Sequence, residues 1–157
     1  MNLTLKLGAL AVASAFAFVA GPVIAAEDNP HAKHEKRVVL NAGQKWKTDA
    51  VTRRGMESIR EQVNAVRASS RLAPMQPEYY AALGESIKRE VGEILVASQL
   101  EPSAGQNFHV IVNQLVTAAD TLEGKNGADR ANGMDHADRV LSQYTRFFDH
   151  PGWQDRA

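Results

Sequence analysis

Residues 77–98, PEYYAALGESIKREVGEILVAS, decide the fold class of this chain. Apolar side chains recur here at intervals of three and four residues, at Tyr80, Leu83, Ile87, Val91 and Ile94, and Ser98 is next in the series. This spacing places them on one face of an α-helix, which has 3.6 residues per turn. Pro77 suits the first helical position, which needs no N–H donor. The stretch is therefore predicted to be an amphipathic helix.

Three further segments have the same periodicity. They span about 49–69, with Met56, Ile59, Val63 and Val66; about 103–122, with Phe108, Ile111, Leu115, Ala118 and Leu122; and about 129–148, with Met134, Ala137, Leu141, Tyr144 and Phe148. Thr48 or Asp49 is a plausible N-cap for the first of them. Four helices of about 30 Å, joined by short connections, predict an all-α, antiparallel up-down-up-down four-helix bundle over residues 48–157.

The N-terminus has the pattern of an export signal. Lys6 is basic, residues 7–20 are almost all apolar, Gly21 and Pro22 break the run, and small residues before Glu27 allow cleavage after Ala25 or Ala26. The apolar run is shorter than the ~20 residues that span a bilayer, which argues against a retained membrane anchor. The sequence thus predicts a signal peptide at 1–26, a flexible lead-in at 27–47 and a periplasmic location.

Composition excludes several functions. The chain has 18 basic and 18 acidic residues, so no basic surface for a nucleic-acid partner is expected. It has no cysteine, which excludes disulfides, thiolate metal sites and covalent c-type haem. P-loop, Gly-x-Ser-x-Gly and His-Glu-x-x-His motifs are absent from the sequence. We therefore expect a non-enzymatic protein, whose protein partner the sequence does not identify.

One end of the predicted bundle collects the unusual residues. The start of helix one and the end of helix four meet there, so Trp46, Phe148, Asp149 and Trp153 are expected to close it, with the two tryptophan segments packed together. Asp149 has an alternative role in an ion pair with Arg53 or Arg54.

Met56, His109 and His150 form a candidate metal site at the same end. Thioether and imidazole ligands suit copper, as Cu(I), without cysteine. Each residue also has a structural alternative. Met56 would be core filler, His109 a hydrogen-bonded core residue, and His150 part of an aromatic plug. Looser sites at His31 and His34, or at His136, are weaker candidates.

The segments around Gly43, Lys45-Trp46 and Asp49, Arg54-Gly55-Met56, and residues 148–153 (FDHPGW) resemble a group of small periplasmic helical proteins of Gram-negative bacteria. The resemblance implies location and fold, and also a cysteine where this chain has Ser98. A looser architectural likeness is to b-type cytochrome bundles, whose haem iron is held by a Met and a His. Met56 matches the first ligand, but His150 lies beyond the predicted helix.

These observations lead to three ordered hypotheses. The first is a non-enzymatic periplasmic bundle that binds copper through Met56, His109 and His150. The second is a helical binding or structural protein without a cofactor, and the third is a b-type haem protein.

Overall fold

A computed structural model describes residues 37–153, and this part of the chain is all-α with almost no sheet. The four helices are α1 (Ala50–Ser70), α2 (Pro77–Ala97), α3 (Pro102–Leu122) and α4 (Arg130–Phe147). Each overlaps its predicted segment almost completely. The predicted signal peptide, its cleavage site, His31 and His34 lie outside the described residues.

Polar side chains and prolines define the helix starts. The Asp49 carboxylate accepts a hydrogen bond from the Thr52 backbone N–H at 2.6 Å, so Asp49 is the N-cap of α1. Its second oxygen accepts from the backbone N–H of Gln99, in the connection between α2 and α3. Asp129 caps α4 through the Ala131 N–H at 3.0 Å. Pro77 begins α2, as predicted.

The predicted apolar stripes form the core. The largest fully buried side chains are Met56, Ile59, Ile87, Ile94, Phe108, Ile111, Leu115, Leu122, Tyr144 and Phe148. Helix α3 packs against α2 and α4, and α1 packs against α2 and α4. Val66 and Tyr80, at the ends of their stripes, are only partly buried against this core. No helix within residues 37–153 is long and apolar enough to span a membrane.

Two glycines allow α3 to approach its neighbours closely. A Cβ atom on Gly84 of α2 would lie 2.7 Å from the Ala119 carbonyl oxygen of α3. A Cβ atom on Gly133 of α4 would lie 2.9 Å from the Leu122 backbone nitrogen. Any larger residue would therefore meet backbone atoms that belong to another helix.

A short parallel pairing joins the start of α1 to the end of α4. Strand β1 (Trp46–Lys47) pairs with β2 (Phe148–Asp149), with Trp46 opposite Phe148. The prediction that helix four continues through Phe148 was wrong by one residue, because Phe148 has extended backbone angles (φ −118°, ψ 136°) and pairs with β1. Val38 and Trp46 are buried, so this part of the predicted lead-in packs against the core.

Candidate functional site

The four predicted closure residues lie on or next to the β1–β2 pair. Phe148 is fully buried and stacks on Tyr144, with ring centroids 5.3 Å apart. Trp46 is 8% exposed, and its indole N–H donates to the Val39 carbonyl oxygen at 2.6 Å. Asp149 is exposed, and its carbonyl oxygen accepts from the Thr48 hydroxyl. Trp153 is half-buried, and its ring lies 5.2 Å from that of Tyr144, which also stacks on Phe148. The described ring contacts of Trp153 are with Tyr144 and His150, not with Trp46 as expected.

The suggested ion pair of Asp149 with Arg53 or Arg54 was wrong. Within residues 37–153, Asp149 has no basic side chain within ion-pair distance. Arg53 instead donates to the Thr48 carbonyl oxygen, and this contact secures the turn before α1. Backbone interactions at Thr48 and Asp149 therefore replace the proposed charge interaction.

His150 and Trp153 form an aromatic cluster with Tyr144 and Arg60. The Tyr144 hydroxyl oxygen lies 3.0 Å from His150 Nδ1, and the His150 and Trp153 ring centroids are 4.8 Å apart. The Arg60 guanidinium carbon lies 4.5 Å from the Trp153 ring centroid, at cation–π distance. Burial lowers the pKa of His150 and raises that of Tyr144. Both groups are therefore neutral at pH 7, which suits a plug that covers the core.

The three predicted copper ligands occupy different surroundings. The Met56 side chain is fully buried in the core, and His150 belongs to the aromatic cluster. His109 is exposed on α3, so the alternative that it is a buried, hydrogen-bonded core residue was wrong. Between residues 37 and 153, no three His, Asp or Glu side chains are grouped as metal ligands would be. That finding does not test a site that includes a methionine.

His109 lines an open groove of about 1020 Å³ between α3 and α4. From α3 the polar lining comprises Gln106, His109, Asn113, Gln114 and Thr117, and from α4 it comprises His136, Arg139 and Gln143. Arg37 and Leu95 complete one border, and Val110, Val112 and Val140 form an apolar floor. Neither Met56 nor His150 is among the described lining residues. The groove and the aromatic cluster are therefore separate features.

The described lining of the groove contains basic residues and no acidic residue. Arg37 and Arg139 line it together with His109 and His136, and no acidic residue is found among the lining residues that the structure describes. Burial, and then the positive charge of Arg139, lower the pKa of His136. Arg139 is exposed and has no ion-pair partner in the range 37–153. Within residues 37–153, neither Arg37 nor Arg139 has an ion-pair partner, and both line the groove beside several carboxamides.

Sequence reasoning missed this groove, although the pattern contains a signal for it. Polar residues recur on α3 at Gln106, His109, Asn113 and Thr117, at intervals of three and four. His136, Arg139 and Gln143 repeat the same spacing on α4. Two polar stripes on consecutive helices would ordinarily be taken as solvated faces. Only the packing of α3 against α4 places both stripes along one depression.

The described part of the chain is therefore a four-helix, all-α domain, and its candidate sites are the aromatic cluster and the α3–α4 groove. Comparison with known proteins found no matching family model, no similar curated protein and no similar solved structure.

Proposed function

We propose that the mature chain is a non-enzymatic periplasmic binding protein that accepts its ligand in the α3–α4 groove without a metal or haem. The observation that carries this proposal is the groove itself, which combines about 1020 Å³ of space with an apolar floor and many hydrogen-bonding groups. Ligand sites in proteins commonly combine these features. The plug of Tyr144, His150 and Trp153 then has a structural role.

The proposed architecture is an antiparallel up-down-up-down bundle. Its support is that consecutive helices pack against each other and are joined by the short connections 71–76, 98–101 and 123–129. Short connections favour antiparallel neighbours. The pairing of β1 with β2 also brings the start of α1 beside the end of α4, as this topology requires. Export rests on the signal-like pattern of residues 1–26.

Copper binding through Met56, His109 and His150 stays a prediction from the sequence. The geometry gives this hypothesis little support, because the Met56 sulfur is enclosed in the core while His109 is exposed on the groove. Titration of Cu(I) under reducing conditions tests it. If the site is real, its affinity for copper should fall as the pH drops through about 6.5, where imidazole is protonated, and binding should be lost in His109→Ala. Equal affinity in the wild type and His109→Ala would end the copper hypothesis.

The proposed function is tested on protein purified from its native periplasm. We expect elemental analysis to find no stoichiometric copper and the absorption spectrum to lack a Soret band. Bound copper would favour the first sequence hypothesis, and a Soret band would favour a b-type haem protein. Native mass spectrometry of the same sample should reveal a small-molecule adduct, since a binding protein without a cofactor retains its ligand when affinity is high.

A matched pair of tryptophan variants locates that adduct. Asn113 is exposed on α3 and lines the groove, whereas Asn64 is exposed on α1, which contributes no described lining residue. Asn113→Trp should fill the groove and abolish the adduct, and Asn64→Trp should retain it. An adduct that persists in Asn113→Trp would refute the groove as the binding site.

A further inference from the structure

The acidic residues of α3 and α4 are paired with other helices, away from the groove. On α4, Asp135 and Asp138 both form ion pairs with Arg67 of α1, the former at 3.3 Å. On α3, Asp120 forms an ion pair with Lys88 of α2. Glu123, which directly follows α3, also pairs with Lys88, at 2.7 Å. The carboxylates of this pair of helices are thus neutralised on their outer sides.

This arrangement leaves the groove with an excess of positive charge. Arg139 lies one residue after Asp138 on α4, but it lines the groove, whereas Asp138 pairs with Arg67. Because the carboxylates point elsewhere, the two guanidinium groups of the groove have no internal counter-ion among the described residues. A cleft lined by one sign of charge concentrates ligands of the opposite sign.

Arg37 is held in place although it precedes the first helix. The Val39 backbone N–H donates to the Asn107 side-chain oxygen of α3 at 3.0 Å, and the Val39 carbonyl oxygen accepts from the Trp46 indole. Val38 between them is buried in the core. These contacts fix the segment that carries Arg37 against α3. The backbone beside Arg37 is therefore held against α3, and Arg37 itself lines the groove.

We infer that the groove recognises a small ligand that carries at least two anionic oxygen groups, phosphate or carboxylate, and this inference rests on the proposed function of the groove. Guanidinium groups offer paired N–H donors that match both kinds of oxyanion. Arg37 and Arg139 both line the groove from separate segments, which lets each pair with a different anionic group of one ligand. Carboxamides such as Gln106 and Gln143 supply hydrogen bonds to the remaining polar atoms.

The test is calorimetric titration of the mature protein, at low ionic strength, with tripolyphosphate, citrate and the neutral trisaccharide maltotriose. We expect at least one of the two anions, tripolyphosphate or citrate, to bind and maltotriose not to bind. Tighter binding of tripolyphosphate would identify phosphate as the preferred group, and tighter binding of citrate would identify carboxylate. Arg139→Gln and Arg37→Gln should each weaken that binding at least about tenfold, since a charge-assisted contact contributes roughly 1.5 kcal/mol or more.

Arg54→Gln is the control, because Arg54 is exposed on α1 and the change in net charge is the same. Its affinity should match the wild type. An equal loss in Arg54→Gln would show a non-specific charge effect and overturn the inference, as would the absence of binding by both anions. If maltotriose binds and Asn113→Trp abolishes that binding, the proposed function stands and the anionic ligand class is wrong. If Asn113→Trp instead retains the native adduct, the proposed function fails.

Discussion

Replacement of Gly84 by alanine should destabilise the protein although it favours the helix. In an isolated helix the change would stabilise by about 1 kcal/mol, because alanine has the higher helix propensity. In the folded protein the added Cβ would lie 2.7 Å from the Ala119 carbonyl oxygen and 3.3 Å from the Leu122 Cβ. The Ala119 carbonyl lies in the last turn of α3 and, as a backbone group, has no alternative rotamer, so α2 and α3 must move apart. Such overpacking costs about 1–3 kcal/mol.

Gly92 provides the matched control on the same helix. A Cβ atom there would meet nothing within 4 Å, so Gly92→Ala should show the propensity effect alone, a gain of about 0.5–1 kcal/mol. Gly84→Ala should lower the free energy of unfolding by up to about 2 kcal/mol, which is the overpacking cost minus the gain in helix propensity. Urea unfolding followed by helical circular dichroism measures both, with equal m-values as the check on two-state behaviour. Equal stabilisation by the two variants would refute the close approach of α2 to α3.

Three further predictions concern the core, the aromatic plug and an ion pair. Leu141→Ala should lose about 2–5 kcal/mol in the same unfolding assay, because it leaves a cavity in the core, and a loss below about 1 kcal/mol would contradict the α4 register. Trp153→Ala should lower the free energy of unfolding by about 1–3 kcal/mol while the emission of Trp46 changes little, because the described rings that contact Trp153 are those of Tyr144 and His150; a large shift of that emission would contradict these contacts. The hydrogen bond from Lys88 lowers the pKa of Asp120 in the folded state, so the ion pair stabilises the protein above about pH 4 and its contribution is lost as pH falls through that lowered pKa. Asp120→Asn should therefore reduce the difference in melting temperature between pH 6 and pH 3, and an unchanged difference would exclude a role for this pair.

The helices were predictable because their signals are local. Apolar residues three and four apart define the buried face of each helix, and a cap such as Asp49 marks a start within a few residues of that face. The β1–β2 pair was missed for the opposite reason. It joins two-residue segments about a hundred positions apart, and such short strands contain no periodicity. The only indication of this pairing in the sequence was that Trp46 and Phe148 were expected to lie at the same end of the bundle.

The glycines within helix α2 are a second case in which the sequence alone does not explain a residue. Gly84 and Gly92 both lower the helix propensity of α2. The spacing places Gly84 nearer the apolar stripe than Gly92, but it does not show which atoms of another helix either one would meet. The structure does, because only Gly84 faces a backbone atom of α3. The reason for a glycine can thus depend on a partner helix that local reasoning does not specify.

The copper hypothesis depended on the assumption that His109 belongs to the buried side of α3. The predicted stripe of α3 is buried, and Val112 and Ala119 beside it are buried as well; that stripe comprises Phe108, Ile111, Leu115, Ala118 and Leu122. His109 lies just outside that set, one residue or about 100° around the helix from Phe108. The structure instead exposes His109, on the groove side of α3. The polar residues that share the face of His109 were the more informative group.

The balanced charge of the whole chain gave no indication of the basic residues in the α3–α4 groove. Equal numbers of acidic and basic residues argued against a basic surface for a nucleic-acid partner, and that expectation still rests on composition alone. A net charge of zero nevertheless permits segregation, because Arg67 and Lys88 draw the carboxylates of Asp138 and Asp120 to other helix interfaces. Arg139 is then left beside the groove without an internal counter-ion among the described residues. Which ion pairs form between helices, rather than how many charges the chain contains, determines where an anionic ligand would be attracted.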